Sequence, residues 1–190
     1  MIAGTNMITF LNRFILFAAL HSLCATHLIK NRLHVSESQA YRLCYNVASL
    51  LLFGWVMAAY RNSPVLYFAP GNWSLLLYLL QLGIAVILAL CLIQTGIGEF
   101  MGVTKKTTTT FTRTGCYSVV RHPLYFFSLL FMAVNPVMTM QWLLLTIMSS
   151  IYFVVGSLIE EKRMVAEFGD AYRSYQRDVP FLIPGLSRLT

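Results

Sequence analysis

Two polar clusters flank a long apolar block, and their residue types suit the binding of a charged small molecule. The segment Arg121-His122-Pro123-Leu124-Tyr125 enters the block, and Glu160-Glu161 leaves it. The 36 residues between Pro123 and Glu160 contain no Asp, Glu, Lys or Arg. They could form two membrane helices of about 17 residues or more each. A hairpin would then bring the guanidinium, the imidazole and both carboxylates to one membrane face, where ionisable groups usually serve a function.

The entry to this block has the chemistry of an anion site. Proline is favourable in the first turn of a helix, so we expect a helix to start at His122-Pro123 with unpaired backbone donors. Such an end attracts an anionic group, and Arg121 adds a forked donor for a carboxylate or phosphate. At the other end, Glu160 could bind a cationic or hydroxyl-bearing ligand. The alternatives are that Arg121 and His122 only anchor a helix to lipid headgroups, and that Glu161 pairs with a nearby Lys or Arg.

Three further groups are weaker candidates. The segment Gly96–Gly102 does not match a dinucleotide-binding fingerprint, so its glycines are interpreted as helix termination and packing, with Glu99 near the pocket. His21 and His27 lie six residues apart, about 240° around a helix, and do not share a face. A metal site is therefore not expected, although His21 could line a cavity.

The cysteines argue against a structural cross-link. Cys24, Cys44, Cys91 and Cys116 are far apart and form no Cys-x-x-Cys pair. They are predicted to be packing residues, without a zinc site or a disulfide framework. Cys116 is the one that lies beside a polar cluster.

Composition identifies an integral membrane protein. Of the 190 residues, 57% are hydrophobic and 11% charged, and the mean hydropathy is +0.66, whereas soluble domains carry about 25% charged residues. The length suits a single membrane domain, 1–190. The net charge of +7 comes from bases placed between apolar segments, which favours contact with lipid headgroups and not with nucleic acid.

The apolar segments predict an all-α fold of about five transmembrane helices. The spans are 7–29, 41–60, 73–95, 122–134 and 137–159, and the last two form the hairpin. A C-terminal segment, 160–190, follows. Within it Met164, Phe168, Tyr172 and Tyr175 recur every three or four residues, which predicts an amphipathic helix that continues the fifth span or lies along the membrane face.

The loop charges predict an orientation. Five crossings place twelve of the fourteen basic residues, and all seven acidic residues, on one side. The positive-inside rule makes that side cytoplasmic. We therefore expect a multi-pass membrane protein whose polar clusters face the cytoplasm.

Several motifs occur in order between about Thr109 and Pro184. They are Gly115-x-Tyr117, Arg121-His122-Pro123-x-Tyr125, Glu160-Glu161, Phe168-Gly169-x-x-Tyr172-x-x-Tyr175 and Val179-Pro180-x-x-x-Pro184. Together they resemble the membrane-embedded methyltransferases related to isoprenylcysteine carboxyl methyltransferase. The N-terminal half resembles more weakly the short bacterial relatives of the NnrU and methanethiol methyltransferase type, at Leu20-His21-Ser22 and Tyr41-Arg42-Leu43-x-Tyr45-Asn46.

The resemblance implies S-adenosylmethionine as methyl donor and an acceptor that enters from the bilayer. It also implies that the membrane is the bacterial inner membrane and that the cytoplasmic face carries the active site. By position, the cofactor pocket would be lined by Tyr117, His122, Pro123, Leu124, Tyr125 and Glu160, with backbone from Thr109–Thr112. Arg121 would meet the cofactor carboxylate, and aromatic faces and a carboxylate would stabilise its sulfonium.

One departure bears on the acceptor. Relatives that methylate a carboxylate carry an Arg four residues before the glutamate that matches Glu160, and here that position is Gly156. A small thiol, a lipophilic neutral group or a lipid amine therefore fits better than a prenylcysteine carboxylate. The candidate bases are His21, Glu161 and Glu99. The alternative functions are an NADPH-dependent reductase of the sterol-reductase type, which resembles the same C-terminal half, and a non-catalytic membrane protein that retains the pocket.

Overall fold

The computed structural model describes residues 2–35, 38–59, 63–101, 103–104 and 111–185. Helices account for nearly all of the regular structure. In chain order the elements are α1 (Ile2–Ala25), α2 (His27–Arg32), α3 (Gln39–Met57), β1 (Val65–Phe68), α4 (Asn72–Thr95), α5 (Ile97–Met101), a 3₁₀ helix (Gly115–Ser118), α6 (Pro123–Ala133), β2 (Val137–Thr139), α7 (Met140–Phe168) and α8 (Asp170–Asp178). The two short strands pair with each other.

Four of the described helices, α1, α3, α4 and α7, are long and apolar enough to cross a membrane. Their large apolar side chains point outward: Leu50 and Leu51 of α3 are 72% and 69% exposed. A helix that is apolar on all sides yet barely buried by protein is suited to contact with lipid. The prediction of an all-α integral membrane protein is confirmed.

The bounds of the predicted spans differ in places. The fourth span is the apolar helix α6, which has 11 residues. At 1.5 Å per residue it is about 16 Å long, well short of a hydrocarbon core of about 30 Å. The first span ends earlier than expected, because the chain leaves α1 at Ala25 and Thr26 caps the separate helix α2.

The chain divides into two compact units, and each is described by itself. The N-terminal unit comprises the described parts of 1–66, 96–107 and 139–144, and the C-terminal unit comprises those of 67–95, 108–138 and 145–190. The single domain inferred from chain length stays a prediction.

In the N-terminal unit α1 packs against α3. Ser38 caps α3 by accepting a hydrogen bond from the backbone of Tyr41 at 3.2 Å, as a serine at this position commonly does. This cap fixes where α3 begins.

In the C-terminal unit α4 packs against α6. The structure contradicts the prediction of unbridged cysteines, because Cys91 of α4 and Cys116 of the 3₁₀ helix form a disulfide. Their separation of 25 residues carries no local motif. The packing of the 3₁₀ helix against α4 brings them together, and sequence spacing does not report it.

The predicted amphipathic helix is divided between two elements. α7 continues past Glu160-Glu161 as far as Phe168, and α8 starts at Asp170. Gly169 between them has a φ of +56°, a conformation that a residue without a Cβ adopts at little cost. The break turns the chain so that Tyr172 and Tyr175 are buried.

Candidate functional site

The carboxylate of Glu161 is the centre of a buried polar cluster in the C-terminal unit. Its Oε1 accepts hydrogen bonds from Arg121 Nε at 2.9 Å, His122 Nε2 at 3.0 Å and the Tyr172 hydroxyl at 2.9 Å. Its Oε2 accepts one from Gln176 Nε2. These five residues are called the Glu161 cluster below. These residues connect the start of α6 with α7 and with α8. The predicted hairpin likewise places the arginine, the histidine and the glutamates at one membrane face.

Arg121 is held by protein groups on several sides. Besides the ion pair with Glu161, its Nη1 donates to the carbonyls of Gln176 at 2.7 Å and Val179 at 2.9 Å. Its backbone N–H donates to the carbonyl of Pro180 at 2.9 Å. A buried charge is tolerated only when it is paired and hydrogen-bonded. Arg121 therefore ties the entry of α6 to the segment that follows α8.

His122 lies between the two adjacent glutamates. Its Nε2 is 3.0 Å from Glu161 Oε1 and its Nδ1 is 3.7 Å from Glu160 Oε2. An ionised carboxylate can only accept, so Nε2 carries a proton. The Glu161 side chain is 8% exposed and that of Glu160 is 50% exposed. These two neighbours in sequence thus occupy different environments: Glu161 is buried in the cluster and Glu160 is half-exposed.

An aromatic surface continues from His122. The imidazole stacks on Tyr125, with centroids 5.7 Å apart, and Tyr125 stacks on Phe153 at 4.8 Å. Phe181 meets the imidazole edge to face at 5.2 Å. Faces of this kind attract cations.

The 3₁₀ helix is fixed beside the cluster by tyrosines. The hydroxyl of Tyr117 lies 3.0 Å from Thr95 Oγ1, and the Tyr175 hydroxyl donates to the carbonyl of Tyr117 at 2.5 Å. Burial raises the pKa of Tyr117. Burial also raises the pKa of Tyr172 and of Tyr175 above the usual range. Both α8 phenols therefore stay protonated and act as donors.

The start of α6 has the predicted form. Pro123 is the first helical residue, and the Phe126 N–H donates to the carbonyl of His122 at 3.0 Å. Pro123 is fully buried, whereas Leu124 and Tyr125 are half-buried. Thr109 and Thr110 of the predicted backbone strip lie outside the described residues.

A cavity of about 310 Å³ adjoins the Glu161 cluster. Glu161, Gln176 and Phe181 line it together with Leu158, Lys162 and Val165. Within the described part of the chain, the lining includes Glu161 but none of the seven residues predicted to bind cofactor.

The three candidate bases belong to different units. Glu161 is in the C-terminal unit with the predicted cofactor residues, whereas His21 and Glu99 are in the N-terminal unit. His21 hydrogen-bonds to Ser49 and Tyr45. The side chain of Glu99 lies outside the described part. No group of three or more potential metal ligands occurs among the described residues.

Some residues of the site cannot be identified from the sequence motifs alone. The sequence places Tyr172 in an amphipathic stripe and in one of the ordered motifs without predicting its hydrogen bond to Glu161, and it does not distinguish Gln176. Their spacing of four places both on one face of a helix, and this signal could have pointed to them. For Phe153 and Phe181 the sequence offers no comparable signal, because each is recognised only by the ring it packs against.

Comparison with known proteins supplies the family. The model of the NnrU protein family matches residues 9–134, more than half of the chain. Methanethiol S-methyltransferase of Pseudomonas deceptionensis is 42% identical over 72 residues, which are 38% of this chain and 28% of that protein. Methanethiol S-methyltransferase of Mycobacterium tuberculosis is 36% identical over 74 residues, 39% of this chain and 30% of that protein.

The matched regions therefore span less than a third of these curated relatives. No solved structure matches the chain significantly. The predicted likeness to the NnrU and methanethiol methyltransferase type is confirmed, and the extent of the family match shows that this chain is a member of the NnrU family of membrane proteins.

Proposed function

We propose that the protein is an S-adenosylmethionine-dependent membrane methyltransferase whose acceptor is a small or lipophilic group without a carboxylate. The proposal depends on the different environments of two adjacent glutamates. Glu160 is half-exposed, whereas Glu161 is buried in a cluster with Arg121 and His122. The names of the relatives, methanethiol S-methyltransferase, support the same reaction class. A thiol is accordingly the first acceptor to test.

The chemistry of the exposed groups fits this cofactor. S-adenosylmethionine supplies a methyl group on a sulfonium sulfur, together with ribose hydroxyls and a carboxylate. The half-exposed carboxylate of Glu160 can accept a hydrogen bond from a ribose hydroxyl or face the positive sulfur. Tyr125, whose ring stacks on His122 and on Phe153, belongs to the proposed lining. Tyr117, Pro123 and Leu124 complete the proposed lining.

Arg121 and His122 take different parts in this proposal. Arg121 gives Nε and Nη1 to protein acceptors and its side chain is 3% exposed, so its proposed task is to hold the start of α6 and not to bind the cofactor carboxylate directly. His122, fixed by Glu161, orients its other nitrogen towards Glu160. Methyl transfer depends chiefly on alignment and exclusion of water, and a rigid buried support serves both.

The proton of a thiol or amine acceptor must leave before or during transfer. The carboxylate of Glu161 accepts hydrogen bonds from four donor groups, which stabilise its charge and make it a weak base. We therefore favour a positioning role for Glu161. His21 and Glu99 remain proposals for the base.

Binding of cofactor by the purified protein in detergent tests the proposal. We expect saturable binding of S-adenosylhomocysteine, weakened at least tenfold by Glu160→Gln, because the amide loses the charge that faces the ligand. Glu167→Gln is the matched control, since Glu167 is an exposed glutamate later on the same helix. Calorimetric titration measures both affinities.

The other outcomes discriminate among functions. Saturable binding of NADPH in a parallel titration would assign the protein to the reductases instead. Binding of neither ligand, by protein whose helical content and melting temperature are normal in lipid nanodiscs, would contradict both enzymatic functions and favour a non-catalytic protein.

We also propose that the site faces the cytoplasm, on the charge asymmetry of the loops. In a Cys44→Ser background, we expect a cysteine at Thr112 to react with a membrane-impermeant maleimide only after inner membranes are inverted. A cysteine at Asn72 should react in intact spheroplasts. The reverse pattern would contradict the orientation, and labelling in detergent controls for access.

A further inference from the structure

The disulfide between Cys91 and Cys116 joins two elements of the C-terminal unit and takes no part in the proposed methyl transfer. Cys91 lies in α4, one turn before that helix ends at Thr95, and Cys116 lies in the 3₁₀ helix. Cys91 is fully buried, whereas Cys116 is half-exposed. Access decides which sulfur of a disulfide a thiolate attacks, so Cys116 is the point of entry for a reductant.

The last turn of α4 holds the 3₁₀ helix at several points. Cys91, Gln94 and Thr95 are spaced by three and four residues and therefore share one face of α4. Beside the disulfide, Gln94 Nε2 donates to the carbonyl of Thr114 at 2.6 Å. Gln94 Oε1 accepts a hydrogen bond from the Cys116 N–H at 3.1 Å. One face of α4 thus supplies both a covalent link and hydrogen bonds to the 3₁₀ helix.

Tyr117, a proposed cofactor contact, is held by the same arrangement. Thr95 Oγ1 donates to the carbonyl of Cys91 at 2.8 Å. In the 3.0 Å contact with Thr95 the Tyr117 hydroxyl is therefore the donor. The Tyr175 hydroxyl donates to the Tyr117 carbonyl. Among these connections, the disulfide is the one that a reductant can break.

We propose that Cys91 and Cys116 form a reversible thiol–disulfide site, and that a dithiol reductant loosens the 3₁₀ helix from α4 and so lowers the affinity for the cofactor. The effect on the cofactor rests on the proposed function, whereas the loosening of the helix does not. In the proposed orientation the end of α4 lies on the cytoplasmic side, where disulfides are usually transient and often redox-sensing. The oxidised form is the one that fixes Tyr117 for the cofactor.

Reduction proceeds by two thiol–disulfide exchanges. A thiolate of the reductant attacks Cys116 Sγ, the bond to Cys91 Sγ breaks, and Cys91 leaves as a thiolate that takes up a proton. The second thiolate of the reductant then attacks the reductant's own sulfur in the mixed disulfide and releases Cys116, which also takes up a proton. Two electrons and two protons thus pass to the protein, and the dithiol becomes a disulfide.

Hydrogen exchange of the full chain in detergent tests the loosening without any ligand. The parent for this test is Cys24→Ser/Cys44→Ser, which lacks the free cysteines, so that maleimide labelling after denaturation counts only the pair. After treatment with dithiothreitol we expect two labels per chain and about tenfold faster exchange, or more, in 115–119. The Cys116 and Val119 amides there are hydrogen-bonded in the oxidised protein. Reoxidation with oxidised glutathione should restore slow exchange, and 143–153 of α7 should not change.

Titration with S-adenosylhomocysteine measures the effect on the proposed site, with dithiothreitol removed under anaerobic conditions beforehand. We expect about threefold lower affinity in the reduced protein, because the fraction of molecules with Tyr117 in place sets the apparent affinity. Cys91→Ala/Cys116→Ala in the same background should bind like the reduced protein, and its affinity should not respond to dithiothreitol.

Three results would overturn the proposal, each with helical content checked by circular dichroism. The pair resists dithiothreitol until the protein unfolds, reduction leaves the exchange of 115–119 unchanged, or both forms bind S-adenosylhomocysteine with equal affinity. An oxidised protein that binds no S-adenosylhomocysteine, yet exchanges faster in 115–119 on reduction, would contradict the proposed function and support the thiol–disulfide site.

Discussion

Glu161→Gln is expected to lower the free energy of unfolding by roughly 3–5 kcal/mol, the range measured when one partner of a buried ion pair is removed. The amide cannot neutralise Arg121, whose guanidinium stays buried among carbonyls. It also turns a donor group towards Tyr172 or Gln176, each of which donates to the carboxylate. Thermal or denaturant unfolding in a fixed detergent measures the change.

The same variant should lose cofactor affinity through misplacement of His122. Glu167→Gln is again the control and should change the unfolding free energy by no more than about 0.5 kcal/mol, as exposed substitutions usually do. A Glu161→Gln protein as stable as the control would contradict the ion-pair cluster. A stable variant that binds cofactor normally yet turns over slowly would instead assign Glu161 to catalysis.

Gly115→Ala is expected to lower the free energy of unfolding by about 2–3 kcal/mol, from left-handed backbone strain and a weakened hydrogen bond. Gly115 has a φ of +61°. A Cβ added there would lie 2.4 Å from Gln94 Oε1 and 2.6 Å from its Nε2. The amide cannot simply move away, because it donates to the Thr114 carbonyl and accepts from the Cys116 N–H.

The substitution should also lower the affinity for cofactor, because Gln94 holds the 3₁₀ helix that carries Tyr117. Gly156→Ala is the control: an added Cβ there has nothing within 4 Å, and alanine favours a helix by up to about 1 kcal/mol over glycine. Equal unfolding free energies for the two variants would contradict the clamp. Unfolding curves in detergent and the affinity for S-adenosylhomocysteine report the two effects separately.

Gly156 also bears on the acceptor. A Cβ added at Gly156 would have no atom within 4 Å. Packing around this position therefore does not require a glycine, and the Cβ of an Arg would fit. This agrees with the proposal that the acceptor lacks a carboxylate for such an Arg to hold.

Much of the architecture follows from the sequence because it depends on local physics. Sparse charge and long apolar runs determine a membrane protein, since charges are costly in hydrocarbon. Proline at the first turn determines where α6 begins. The absence of charges between Pro123 and Glu160 predicts that the two polar clusters meet, and the structure confirms the meeting. The segments around His21 and Tyr41–Asn46 resemble the NnrU type, and the family match over residues 9–134 confirms that likeness.

The burial and the contacts of adjacent residues depend on the tertiary structure. Glu160 and Glu161 are equivalent in type, but successive residues point about 100° apart around a helix. Only the packing of α8, after the turn at Gly169, buries Glu161 under Tyr172 and Gln176 and leaves Glu160 half-exposed. In the same way the disulfide of Cys91 and the partners of His21 depend on contacts between distant segments. Such contacts are determined by the packing of whole helices, which no spacing within one segment reports.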